Sequence, residues 1–168
     1  MPIVNIPQDH GQHIDDLRTA IEHRATWMYL LLDEARQRGL NWEDFARKAI
    51  RRCGCFHGES RFSKTDRADV FANEFATENV KQIFDLDICE TTEERFVCEF
   101  HYCPLVSAWQ KIGAAAEDIP QLCDLAMEGD RGILATIPDL DFCLEQTLAR
   151  GESVCRIVIS KVARDKRD

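Results

Sequence analysis

The chain has 168 residues, enough to bury a core without disulfide or metal staples and few enough for a single domain. Its 21 basic and 30 acidic residues give a formal charge of −9, so the average field repels nucleic-acid backbones and anionic membranes. No stretch approaches the ~20 uncharged apolar residues of a membrane span, and Met1–Gly11 lacks the basic and apolar regions of a signal peptide. The expectation is a cytoplasmic protein whose eight cysteines stay reduced. The basic runs Arg47–Arg52 and Arg164–Arg167 carry no interleaved aromatics and are read as a solvated helix face and a chain end.

Ile14, Leu17, Ile21, Ala25, Met28, Leu32 and Ala35 recur at helical spacing, predicting a helix from about Ile14 to Arg38 that Gly39 stops. Asn41 then stands as an N-cap with Asp44 three residues on, leading Trp42, Phe45, Ala49 and Cys53 onto the buried face of a second helix, which Gly54 ends. Thr65 is placed to cap a third helix with Ala68, Phe71, Ala72, Phe75 and Ala76 inside. Near Gln82 the period changes. Phe84, Leu86 and Ile88, then Phe96, Cys98 and Phe100, alternate with polar or smaller residues about the turn Thr91–Glu94, predicting an antiparallel hairpin.

Pro104 ends the second strand, and a short helix broken at Gly113 follows. A helix is predicted from Ile119 to Glu128, with Pro120 in its first turn and Gly129 as its stop. Arg131–Ile137, Leu140–Leu148 and Val154–Lys161 are read as strands, the last two joined by a turn at Ala149–Glu152. Helices first, then a mostly antiparallel sheet with inserted helices, make a single α+β domain with its core from about residue 14 to 160. Phosphate-binding glycine loops, HExxH and GxSxG are absent, so nucleotide cofactors and the familiar hydrolase triads have no support in the sequence.

The most chemical stretch is His101-Tyr102-Cys103-Pro104. Residues two apart on a strand share a face, so His101 and Cys103 are expected to project together, the imidazole serving as proton acceptor for a nucleophilic thiol. With Cys123 and Cys155 the same pair has the composition of a Cys₃His zinc site, although the gaps between them match no finger spacing. Core packing explains Cys123 and Cys155 equally well. Cys53-Gly54-Cys55 with His57 lacks a second knuckle and is assigned to packing. Asp130 is an acid placed to activate water, Arg24 offers a bidentate clamp for a substrate carboxylate, and Trp27 and Tyr102 are candidate substrate contacts. Each also has an ordinary surface or packing explanation.

Taken in order, these pieces resemble the L-2-amino-thiazoline-4-carboxylic acid hydrolase family. The resemblance rests on Glu22-His23-Arg24-Ala25, Ala49 to Gly54 with Gly58, Cys103-Pro104, Leu122-Cys123, Gly129-Asp130, Pro138, and Thr147–Glu152 with Cys155. It implies a hydrolase that opens a cyclic amidine at a carbon–nitrogen bond to give a carbamoyl amino acid. Catalysis falls to Cys103, His101 and Asp130 and substrate binding to Arg24, Trp27 and Tyr102, with either no cofactor or a divalent metal such as zinc on His101, Cys103, Cys123 and Cys155. The final strand is also similar to vinyl-reductase-type ligand-binding domains, so a non-catalytic small-molecule- or metal-binding module is the alternative. The implied partner is a small-molecule substrate, without nucleic acid or membrane and with self-association left open.

Overall fold

The computed structural model describes residues 2–163; the basic tail from Arg164 lies outside them. Helix α1 (Gln12–Gln37) runs as its stripe predicts, with Ile14, Ala25, Leu32 and Ala35 buried. Helix α2 (Trp42–Arg61) begins after Asn41 but does not end at Gly54. That expectation is corrected, and so is the buried face: Phe45 and Cys53 are exposed, while Ala46, Gly54 and Gly58 are buried. The reason is helix α7 (Glu128–Ala135), which crosses α2 backbone to backbone.

The α7 segment was expected to be a terminating Gly129 followed by a strand from Arg131, and it is a helix. Gly129 and Gly132 do not break it. Gly132, with Gly54 and Gly58, removes the side chains that would hold the two helices apart, and a Cβ on Gly132 would come within 2.3 Å of the Arg51 carbonyl oxygen. A glycine's cost in a helix, about 1 kcal/mol, is offset here by close helix packing.

Helix α3 (Ala68–Phe75) buries Ala68, Phe71 and Ala72 as predicted, but begins after Arg67; Thr65 instead accepts from the Arg67 amide through its side chain. Thr77 caps a further helix, α4 (Glu78–Phe84), where the sequence suggested the start of a strand. The chain leaves α4 through Asp85 at φ 47°, a left-handed conformation that aspartate tolerates better than most residues. Its carboxylate accepts from Arg18 Nη2 at 2.9 Å and the Gln8 amide at 2.8 Å, and sits 2.7 Å from His10 Nε2. The buried Arg18 also donates to the carbonyls of Ile83, Gln82 and Gln8. This network ties the N-terminal arm, residues 2–11, to the α4–sheet corner, and satisfaction of most donors is what makes a buried guanidinium tolerable.

Strands β1 (Leu86–Thr91), β2 (Arg95–Phe100), β3 (Leu140–Gln146) and β4 (Cys155–Lys161) pair in the order β1-β2-β4-β3, antiparallel throughout. Phe96, Cys98 and Phe100 stand opposite Ile159, Ile157 and Cys155 and join Phe71, Leu134 and Ile137 in one core. On the opposite face Glu99 pairs with Arg156, which also reaches Glu145 at 3.0 Å. A second core lies between α1, helix α5 (Pro104–Lys111) and helix α6 (Ile119–Ala126), where Trp109 Nε1 donates to the Ala25 carbonyl at 3.1 Å. The α+β reading holds, with helices first and an antiparallel sheet into which α5, α6 and α7 are inserted.

Candidate functional site

Asp130 stands in the first turn of α7. It is half-buried, and its carboxylate has no ion pair or hydrogen bond with another residue among those described. Burial raises its pKa to about 6, against the opposing pull of its own backbone N–H, Arg131 and Arg24. In turn its charge acts on the Cys98 thiol of β2. Arg24, on α1, has no hydrogen bond or ion pair among the described residues. Arg24 is exposed, so water solvates its guanidinium; the half-buried, partnerless Asp130 carboxylate is the costly group, and it makes this the candidate site.

The adjacent acid, Glu128, provides a comparison. Burial raises it as well, but Arg47, Arg131 and Arg51 outweigh that and hold its carboxyl below the usual range. Its oxygens lie 3.1, 2.8 and 3.2 Å from those three guanidinium groups. Two positions along the helix, one acid is neutralised by arginines and the other is left poised to titrate.

The thiols form a separate group. Cys123 Sγ lies 3.3 Å from Thr147 Oγ1, and Cys155 Sγ lies 3.6 Å from the same oxygen while accepting from the Leu148 amide at 3.2 Å. Cys103 is near enough for both to act on it electrostatically. Burial pushes Cys123 up to about 11 and raises Cys155 and Cys103 too; for Cys103 the α5 amides at Val106 and Leu105 pull the other way without prevailing. These thiols are therefore protonated at neutral pH, weak as nucleophiles and as ligands. Thr147, which links two of them, stood in the sequence only within the stretch Thr147–Glu152 that carries the family resemblance; in the structure it also caps the following 3₁₀ turn, Leu148–Arg150.

His101 and Cys103 are not joined. His101 Nε2 lies 3.1 Å from Asp87 Oδ2 on β1, without hydrogen-bond alignment, and no hydrogen bond reaches Cys103 Sγ from it among the described residues. The strand ends at Phe100, so the period-two argument fails before Cys103. The backbone of Cys103 is instead clamped by Asn5, whose side chain donates to its carbonyl at 2.9 Å and accepts from its amide at 2.8 Å. Among the described residues no three His, Cys, Asp or Glu side chains are placed to hold a metal, and the proposed set of His101, Cys103, Cys123 and Cys155 does not converge as ligands.

Tyr102 is buried under the Arg18 guanidinium, 4.7 Å from its ring centroid, with its hydroxyl 3.3 Å from Glu22, which also accepts from Ser107 and Lys111. Trp27 lies 64% exposed on the outer side of α1, with His23 edge-on to it. In α2, Cys53 is exposed, and His57 Nδ1 is buried without a partner.

The fold is that of a small α+β protein with a half-buried, partnerless acid on α7, and no helix among the described residues is long and apolar enough to cross a membrane. The family model described as L-2-amino-thiazoline-4-carboxylic acid hydrolase matches residues 18–159, and the chain belongs to that family. No curated protein matches it.

Proposed function

We propose that this protein is a hydrolase that opens a cyclic amidine carrying a carboxylate, of the 2-amino-thiazoline-4-carboxylate type, with Asp130 as general base and Arg24 as the carboxylate clamp. One observation carries the reading: the partnerless Asp130 carboxyl, titrating at about 6 within the field of an unpaired Arg24. A base is most effective when its pKa lies near the working pH, and this one is mostly ionised at neutral pH while still a competent proton acceptor. The family membership supports the reaction class.

In this mechanism Asp130 takes a proton from water as the oxygen adds to the amidine carbon. The tetrahedral adduct collapses by breaking a ring bond at that carbon, the ring C–N bond in our reading, and the proton held by Asp130 passes to the leaving atom. The adduct's hydroxyl proton also passes to the ring nitrogen as the carbonyl forms, so water is consumed, no oxidant is needed, and the product is an amino acid with a free amine and its carbamoyl group on sulfur. Arg24 binds the ring carboxylate through two parallel N–H donors, an arrangement lysine does not reproduce.

The test is ring opening of 2-amino-thiazoline-4-carboxylate by the purified protein, followed by mass spectrometry. Arg24→Gln is expected to raise KM more than it lowers kcat, because the clamp holds ground state and transition state alike. Saturable binding of the ring without turnover would assign the chain to the non-catalytic binding modules instead.

A further inference from the structure

We propose that a cavity under the N-terminal arm is a second ligand site, one that takes a medium-chain carboxylate, its head group on Arg150 and its tail along Pro2, Ile3 and Ala114. The cavity measures about 430 Å³ and opens to solvent. That is roughly three times the ~150 Å³ engineered cavity that admits benzene, and within the size of natural small-molecule pockets. Pro2 and Ile3 of the arm form one wall, Ala114 and Ala116 before α6 another, and Ala149 and Arg150 of the 3₁₀ turn the third.

Its lining is apolar except for two side chains. Gln110 is already engaged, its Nε2 donating to the Ile3 carbonyl at 3.2 Å, a bond that fixes the arm as a wall. Among the described residues Arg150 is the only charged one that lines the cavity, and its exposed guanidinium has no hydrogen bond or ion pair with them. The first turn of α6 also faces the cavity through Ile119 and Pro120 and has no side-chain cap, since Asp118 reaches away to Arg36 at 3.0 Å. The positive end of that helix therefore adds to the field of Arg150. An apolar wall with one free guanidinium selects an amphipathic anion. A polyanion would leave charge on hydrocarbon, and a neutral lipid would gain nothing from the guanidinium, which is exposed and otherwise solvated by water.

The site shares no residue with Arg24 and Asp130, so the two readings stand or fall separately. The experiment is isothermal titration calorimetry of the full chain with decanoate and with decanol. We expect saturable one-to-one binding of decanoate, at least about tenfold weaker binding of decanol, a loss of at least about tenfold in Arg150→Gln, and a comparable loss in Ala116→Phe, which fills the mouth from an exposed loop position. Arg24→Gln is expected to bind decanoate as the unaltered protein does. No saturable binding at millimolar decanoate, equal affinity for decanol, or full affinity in both Arg150→Gln and Ala116→Phe would overturn the proposal.

Discussion

The backbone of Gly54 approaches that of Gly129 so closely that a Cβ on Gly54 would lie 2.0 Å from the Gly129 carbonyl oxygen. The same added atom would lie 2.9 Å from the Gly132 Cα, so backbone blocks it on two sides. Helix propensity alone favours alanine over glycine by about 1 kcal/mol, but overpacking against backbone costs at least about 3 kcal/mol, the upper end of the usual range. Gly54→Ala should therefore destabilise strongly. Gly129→Ala meets only Ile50 Cγ2 at 3.9 Å, an ordinary contact, and should be neutral or stabilising. Thermal melting of the two variants checks this, and equal melting temperatures would show that the helices do not cross on glycine backbone.

Asp130 should cost the fold stability at neutral pH. Its folded pKa of about 6 lies above the ordinary carboxylate range, so the native state binds the proton more tightly than the unfolded chain does. The stability this provides is fully present below the unfolded value and is lost as pH rises through the folded one. Allowing for partial solvent access, the ionised carboxylate costs about 2 kcal/mol, and Asp130→Asn should raise the neutral melting temperature by roughly 5 °C. A fall in melting temperature would mean that the carboxylate has a structural partner.

Glu128 has the opposite sign. With its folded pKa depressed, its contribution is present above the unfolded carboxylate value and is lost as pH falls through the folded one. Glu128→Gln leaves Arg47, Arg51 and Arg131 around a neutral amide and should cost about 3 kcal/mol at neutral pH. Denaturant unfolding at neutral and acid pH measures it: the difference between variant and parent should shrink in acid, and a constant difference would rule out the ionic origin.

Iodoacetamide at neutral pH should label the exposed Cys53 and Cys143 at least about tenfold faster than the buried Cys98 and Cys123 and the half-buried Cys103, whose thiols stay protonated. Cys103→Ser should keep turnover within a few-fold. If Cys103 is labelled first and its serine variant loses turnover by orders of magnitude, the thiol is the nucleophile and Asp130 has another role.

Much of the fold was legible because helical and alternating spacing survive in the sequence: α1, the β1–β2 hairpin and β4 follow directly from apolar positions. Gly54 and Gly129 misled because a glycine that ends a helix and one that lets another helix approach look alike until the partner helix is placed. Residues 131–137 read as a strand for the same reason, and Phe84 as part of a strand because an αL aspartate hides where α4 stops. Asp130 and Arg24 were visible as candidate types, yet their lack of partners belongs to the packed structure alone. The His101–Cys103 pairing failed because it extended strand geometry three residues beyond the strand.

The role of Asp130 is tested by the pH dependence of kcat/KM for ring opening of 2-amino-thiazoline-4-carboxylate, measured in parallel on the parent protein and Asp130→Asn. Parent activity should rise with pH through an apparent pKa near 6, as the Asp130 carboxylate forms, and the variant, although folded and at least as stable, should lose at least about a hundredfold and that ascending limb together. A variant that retains the same activity and the same limb would contradict it.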